Sequence, residues 1–147
     1  MVDAPPGPDP VRGLIAEAFE LFRASFGDPD FDLERAAERI WHEDCELVPR
    51  YARLEGRSFR GPRGAVEFIE EARRLFDYFE PELEELIGEG DVRVAIYRIQ
   101  ARMNGSDIDL QQRLGAHMEV RDGKVSLMRV FADPRDALHA AGLDQPA

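Results

Sequence analysis

The sequence contains very little cysteine and lysine, and it has no long continuous run of apolar residues. Cys45 is the only cysteine, so no internal disulfide can form, and this favours a reducing, cytoplasmic location. No apolar run approaches the roughly 20 residues that span a bilayer. The N-terminus has no basic start followed by an apolar core, so it does not resemble a signal peptide.

The charge balance excludes another class of partner. The formal net charge is −11, and Lys124 is the only lysine, so almost all positive charge is on arginine. A strongly acidic chain does not bind nucleic acid or an anionic membrane through nonspecific electrostatics. The 147 residues suit one domain, which needs neither a metal nor a disulfide to fold.

Proline and glycine set the limits of that domain. Residues 1–10 contain four prolines and a glycine, so they are expected to form a disordered tail. Residues 11–143 are expected to form the single domain, and residues 144–147 a second loose tail.

Three helical segments come first. Apolar residues recur at helical spacing from Val11 to Phe26, after Asp32, and after Gly61-Pro62. Asp32 suits an N-cap, and Pro62 suits the first helical position. The second helix is expected to carry Ile40 and Trp41 on its buried face. Between the second and third helices, the sequence predicts a short strand over residues 45–49 and a loop over residues 50–60.

Four segments with a different pattern follow. They are separated by a Gly-rich turn, an Asn-Gly turn and an Asp-Gly turn, which are strong hairpin signals. Such short connections predict an antiparallel meander of long, curved strands. In the second segment the apolar positions change phase, which predicts a bulge at residues 96–98. The segments are Phe79–Ile87, Val92–Met103, Ile108–Val120 and Val125–Ala132.

A short helix closes the chain. Asp133 is a good N-cap, Pro134 suits the first helical position, and Gly142 ends the helix. The order of three helices, a meander and a last helix predicts an α+β domain.

Several local motifs resemble SnoaL-like proteins of the nuclear-transport-factor-2-like superfamily. The resemblance extends over about residues 11–143, and the order and spacing of the motifs carry it. They are Leu54–Arg57 with Gly61–Phe68, Arg121–Val125 with Arg129–Asp133, and Asp136–Leu143.

The resemblance implies a cone-shaped curved sheet packed on the three N-terminal helices. It also implies a mostly apolar pocket at the open end of the cone and a symmetric homodimer through the outer face of the sheet. Trp41 and Tyr97 would give this pocket polar handles on aromatic bodies. The expected pocket residues are Phe19, Trp41, Leu47, Phe68, Phe76, Tyr97, Met118, Met128 and Val130.

The catalytic positions of the relatives hold residues that cannot do the same chemistry. The base of ketosteroid isomerases aligns with Pro49, and their oxyanion-hole acid aligns near Ala116. The acids of limonene-epoxide hydrolases align with Gln100 and Val130. None of the four residues can exchange a proton as a carboxyl group does.

The remaining catalytic candidates are Arg98, Gln100 and His117. If Arg98 and Gln100 point inward they could polarise a substrate oxygen, and if they point outward they solvate the sheet or line a dimer contact. His117 has the unperturbed pKa of a general base near neutral pH, but the strand alternation favours an outward position. His42-Glu43-Asp44 are consecutive and are interpreted as a solvated helix end. No metal site and no cofactor is expected.

Two functions stay open at this stage. The first is a SnoaL-like isomerase, cyclase or hydrolase that acts on an apolar molecule in the cone pocket. The second is a non-catalytic ligand-binding or dimeric scaffold protein. The absence of the relatives' catalytic acids favours the non-catalytic protein. The family resemblance favours the enzyme.

Overall fold

The computed structural model describes residues 9–28, 30–50 and 55–144. Most of the predicted N-terminal tail, the end of the C-terminal tail, Pro29, and part of the predicted 50–60 loop lie outside these ranges. The described residues form an α+β fold with an open, curved sheet. In chain order its elements are α1 (Pro10–Gly27), α2 (Leu33–Ile40), β1 (Trp41–Val48), β2 (Phe59–Arg60), α3 (Gly61–Leu75), β3 (Phe76–Ile87), β4 (Val92–Met103), β5 (Asp109–Arg121), β6 (Lys124–Phe131) and α4 (Pro134–Ala141).

Two helix starts follow the predicted capping chemistry, since Asp32 and Asp133 each accept a hydrogen bond from a backbone N–H in the first turn of α2 and α4. Asp9 caps α1 in the same way, which was not predicted. α1 begins at Pro10, which had been assigned to the tail, because Asp9 caps the helix and leaves Pro10 at the first helical position. None of the helices in the described ranges has the length and apolar character that a bilayer span requires.

The sheet has the strand order β2-β1-β6-β5-β4-β3. The predicted meander is confirmed, since β3, β4, β5 and β6 pair in sequence and antiparallel. The Asp-Gly turn is also confirmed, with positive φ at Asp122 and Gly123. β1 lies parallel to β6, and the sequence pattern did not predict this pairing.

The end of α2 differs from the prediction. The helix ends at Ile40, and Trp41 is the first residue of β1 instead of part of the helical face. His42, Glu43 and Asp44 therefore lie in a strand, and His42 is buried, so the interpretation as a solvated helix end is wrong. The alternation of a strand separates consecutive side chains, which sends Trp41 into the core.

The phase change in β4 has a different cause from the predicted bulge. β4 pairs with β5 without a break. The register of the β3–β4 pair is irregular in β3 instead, between Phe76 and Tyr78 and between Leu83 and Glu85. Both faces of the first half of β4 are buried. Val94 and Ile96 pack beneath α4, whereas Tyr97 and Ile99 face the main core. Two hydrophobic clusters, one on each face, thus account for apolar residues at both even and odd positions.

These clusters define two faces of the sheet, called the inner and the outer face below. The inner face packs against α1, α2 and α3 and holds the main core. Helix α4 packs against part of the outer face. Gly115 of β5 permits the close approach of α4, because a Cβ there would lie 2.7 Å from the Cα of Pro134.

Candidate functional site

An apolar cleft lies between the helices and the inner face of the sheet. It has a narrow inner part of about 40 Å³ and a wide outer part of about 350 Å³. The two parts share lining residues, so we treat them as one cleft. The shared residues are Pro49, Phe68, Phe79, Tyr97 and Val130.

Most of the residues expected in the pocket line this cleft, although their role in binding stays a prediction. They come from six elements whose inward positions meet, namely α1, β1, α3, β3, β4 and β6. Met118 is an exception, because its side chain is fully buried in the core and does not line the cleft. The lining residues from the expected set are Phe19, Trp41, Leu47, Phe68, Phe76, Tyr97, Met128 and Val130.

Two residues that line the cleft carry hydrogen-bond donors for which the described residues supply no partner. The indole Nε1 of Trp41 is buried, and no described atom accepts its proton. Tyr97 is 5% exposed, and none of the described residues hydrogen-bonds to its hydroxyl group. Burial raises the pKa of Tyr97, so the hydroxyl stays protonated and can donate. The ring of Phe19 packs edge-on against Tyr97 at 4.9 Å and fixes its orientation.

The wide part of the cleft is the more polar one. Gln112 of β5 and Arg50 line it together with Tyr97, and Arg50 is exposed. These three side chains can recognise an oxygen atom on an otherwise apolar ligand. The rest of the wall is aliphatic or aromatic, which suits an apolar body.

Carboxyl and imidazole groups are absent from the described lining of the cleft. Cys45 is fully buried in the main core, and burial raises the pKa of its thiol to about 11, so it is not a nucleophile near neutral pH. In the described ranges, no three His, Cys, Asp or Glu side chains are placed to hold a metal ion. The cleft can therefore bind and orient a molecule, but it offers no group that exchanges protons readily near neutral pH.

The positions that correspond to the catalytic residues of relatives divide into three locations. Pro49 and Val130 lie on the cleft wall. Ala116 is buried in the core and does not reach the cleft. Gln100 points away from it. The two positions that face the cleft thus hold side chains without an acidic proton.

Arg98 and Gln100 lie on the outer face, so they cannot act on a molecule in the cleft. β4 alternates, and Tyr97 and Ile99 take the inward positions. Arg98 is instead paired with Glu84 at 3.4 Å, and its side chain is 47% exposed. The inward alternative for these two residues is wrong.

His117 also lies on the outer face, yet it is only 5% exposed. Its strand neighbours Ala116 and Met118 take the inward positions in the main core. The Nε2 atom of His117 lies 2.9 Å from a carboxylate oxygen of Glu119, but neither ring nitrogen has the alignment of a hydrogen bond. His117 cannot serve as a base for the cleft, because the sheet separates the two.

Sequence reasoning missed several residues of the cleft. Ile99, Gln112 and Leu114 line the wide part, and all three follow from Tyr97 once the register is known. Leu114 is the β5 partner of Tyr97, and Gln112 is the partner of Ile99. The alternation around Tyr97 was the available signal, but the phase change in β4 obscured it.

Comparison with known proteins agrees with this architecture. The profile of the SnoaL-like domain family matches residues 20–128. No curated protein matches. The solved structures described below share less than 25% identity with this chain, so their likeness concerns the fold alone.

Three solved structures illustrate the likeness. TerC, crystallised with polyporic acid, is 21% identical over 90% of this chain and 98% of its own, with a TM-score of 0.68. A protein from Jannaschia sp. CCS1, provisionally named a SnoaL-like polyketide cyclase, is 17% identical over 99% and 100%, with a TM-score of 0.70. A protein of ketosteroid-isomerase-like fold from Catenulispora acidiphila, in complex with trimethylamine, is 12% identical over 87% and 94%, with a TM-score of 0.63. Given the family match, the chain belongs to the SnoaL-like domain family, and its fold is similar to that of nuclear-transport-factor-2-like proteins.

Proposed function

We propose that this protein binds a small, largely apolar molecule that carries a hydrogen-bond acceptor. The observation that supports this is the Tyr97 hydroxyl, a donor to which no described residue hydrogen-bonds, on a residue that lines both parts of an otherwise apolar cleft. A buried donor without a partner costs about 1–3 kcal/mol, so an acceptor that reaches it recovers part of that cost. The aromatic wall supplies the dispersion contacts for the ligand body.

The arrangement of the cleft supports one orientation of the ligand. Its narrow part is lined by Phe19, Phe22 and Trp41, so an apolar end fits there. Its wide part has Gln112 and Arg50, so the more polar end lies there and points toward solvent. A flat ring ketone has both features.

The ligands of two relatives support binding in a general way. TerC was crystallised with polyporic acid, and the Catenulispora protein was crystallised with trimethylamine. These ligands differ in kind, so they support the use of the fold for small molecules and do not identify the ligand of this chain.

Fluorescence of Trp41 can test occupation of the cleft, since it is the only tryptophan in the chain. We expect 1-tetralone to quench it with saturation. Leu114→Phe narrows the wide part of the cleft and should weaken this binding. Leu110→Phe is the matched control, because Leu110 is 42% exposed and does not line the cleft. Equal binding by both variants, or quenching without saturation, would contradict the proposal.

Catalysis is the alternative function, and Tyr97 is the observation that favours it. A protonated hydroxyl in an apolar cleft can polarise a carbonyl oxygen. Because the described lining offers no carboxylate or imidazole as a base, we expect no turnover of limonene epoxide or of a 5-ene-3-ketosteroid. Turnover that is lost in Tyr97→Phe would establish the enzyme instead of the binding protein.

We also propose that the protein forms a homodimer through the outer face of β3, β4 and β5. Support comes from its alternating charges, in which Glu84 lies between Arg98 and Arg113, and an alternating row can pair with its own two-fold copy. Glu84→Arg should shift the sedimentation coefficient toward that of the monomer. Glu70→Arg makes the same charge change on α3 and should leave the coefficient unchanged; the reverse pattern would exclude this interface.

A further inference from the structure

A second concave site lies on the outer face, on the opposite side of the sheet from the cleft. β1, β2, β6 and α4 surround a depression of about 550 Å³. It is lined by polar and charged side chains, in contrast to the apolar cleft. The residues are Glu46, Val48, Gly56, Arg57, Ser58, Arg60, Arg129, Phe131 and Ala140.

Three guanidinium groups line this depression. Arg60 is paired with Glu46 at 3.0 Å, and Arg57 is paired with Glu55 at 2.7 Å. No described carboxylate lies within ion-pair distance of Arg129. Among the described lining residues Glu46 is the one acid, and with Glu55 beside Arg57 the three positive charges are accompanied by two negative charges.

The strand register explains why these groups converge. Arg129 lies between Val48 of β1 and His117 of β5, and Glu46 lies opposite Arg60 of β2. These five side chains all take outward positions on their strands. Helix α4 limits the depression at one side. The buried His117, whose two ring nitrogens have no hydrogen-bond partner, is thus the direct cross-strand neighbour of Arg129.

Local positive charge is unusual in this protein, because the chain as a whole carries −11. The net charge repels anions at long range, so any anion bound here must be held by direct contacts. Planar guanidinium groups bind tetrahedral oxyanions through paired hydrogen bonds, and the hydroxyl of Ser58 can add another donor.

We propose that this depression is a binding site for phosphate, either free or as a monoester of a small molecule. Arg129 supplies the guanidinium that has no described carboxylate partner, and Arg57 and Arg60, each paired with one carboxylate, can add further N–H donors. The depression has room for more than a bare anion, which allows a monoester. This site is independent of the ligand proposed for the cleft.

Calorimetric titration of the full chain with inorganic phosphate and with phenyl phosphate tests the site. Arg129→Gln should weaken binding about tenfold, as expected for the loss of a charged hydrogen bond. Arg73→Gln, which removes the same charge from a partly exposed position of α3 outside the depression, should bind as the parent does. Thermal unfolding of both variants checks that they are folded.

The two titrants distinguish the sources of the phosphate group. Tighter binding of phenyl phosphate supports a monoester, and equal binding supports the free ion. No saturable heat with either one, or equal weakening by Arg73→Gln and Arg129→Gln, would overturn the proposal. The proposal would also be overturned if Arg129→Gln changed the sedimentation coefficient and phosphate did not reverse that change. The depression would then bind a second copy of the chain.

Discussion

The inner and outer faces of the sheet place their polar side chains differently. On β4, the inward Tyr97 is buried, and no described group hydrogen-bonds to its hydroxyl. One residue later, the outward Arg98 is half exposed and paired with Glu84. Exposed ion pairs contribute little to stability, whereas an unpaired buried donor carries a cost that a ligand can offset. We therefore expect a ligand to gain more binding free energy on the inner face than on the outer face.

Methionine substitutions at a buried and at an exposed position of the sheet should show the largest contrast in stability. Met118 is fully buried in the main core, whereas Met103 is 47% exposed. Met118→Ala should lower the free energy of unfolding by about 2–5 kcal/mol, because it leaves a cavity in a packed core. Met103→Ala should change it by about 0.5 kcal/mol. Urea denaturation measures both, and similar losses in the two variants would contradict the assignment of the core.

The outer face has its own packed contact, at Gly115. A Cβ at this position would lie 2.7 Å from the Cα of Pro134 and 3.0 Å from the Cβ of Ala137. Gly115→Ala should therefore lower the free energy of unfolding by about 1–3 kcal/mol. Gly13→Ala in α1 meets no atom within 4 Å and should raise it by about 0.5–1 kcal/mol. Stabilisation by both changes would show that α4 does not pack as described.

The ion pair between the buried Arg93 and Asp9 should have a smaller, pH-dependent effect on stability. The guanidinium of Arg93 is 7% exposed and donates two hydrogen bonds to Asp9, which lowers the pKa of Asp9 from 3.8. The carboxylate thus adds stability above pH 3.8, and this contribution is lost as the pH falls through its lower folded pKa.

Asp9→Asn tests this pair, since asparagine can still cap α1. It should lower the melting temperature at pH 7, and the difference from the parent should shrink below pH 3.8. Glu84→Gln, which removes an exposed partner on the outer face, should have a smaller effect at pH 7. A difference between Asp9→Asn and the parent that is the same at both pH values would exclude the charge pair as its cause.

Much of the fold could be predicted because local chemistry determines it. The predicted aspartate caps Asp32 and Asp133 start two helices, and an Asp-Gly turn with positive φ joins β5 to β6. The parallel pairing of β1 with β6 was not predictable, because it joins segments about 80 residues apart and leaves no local pattern. The cytoplasmic location stays a prediction.

The candidate site was less accessible to sequence reasoning. Aromatic residues at inward positions, such as Phe19 and Trp41, could be found because large side chains on a helix or strand face belong inside. The direction of Arg98 could not be found, since burial of both faces of β4 made its alternation ambiguous. The missing polar partners of Trp41 and Tyr97 become visible only when the neighbouring elements are in place.

The most direct test compares neighbours on β4 that face opposite sides. Calorimetry should show that Tyr97→Phe lowers the affinity for 1-tetralone about three- to tenfold, the loss of one hydrogen bond. It should leave the affinity for tetralin, which has no acceptor, unchanged. Arg98→Gln should affect neither ligand. Weaker tetralone binding in Arg98→Gln, or unchanged binding in Tyr97→Phe, would contradict the assignment of the cleft as the binding site.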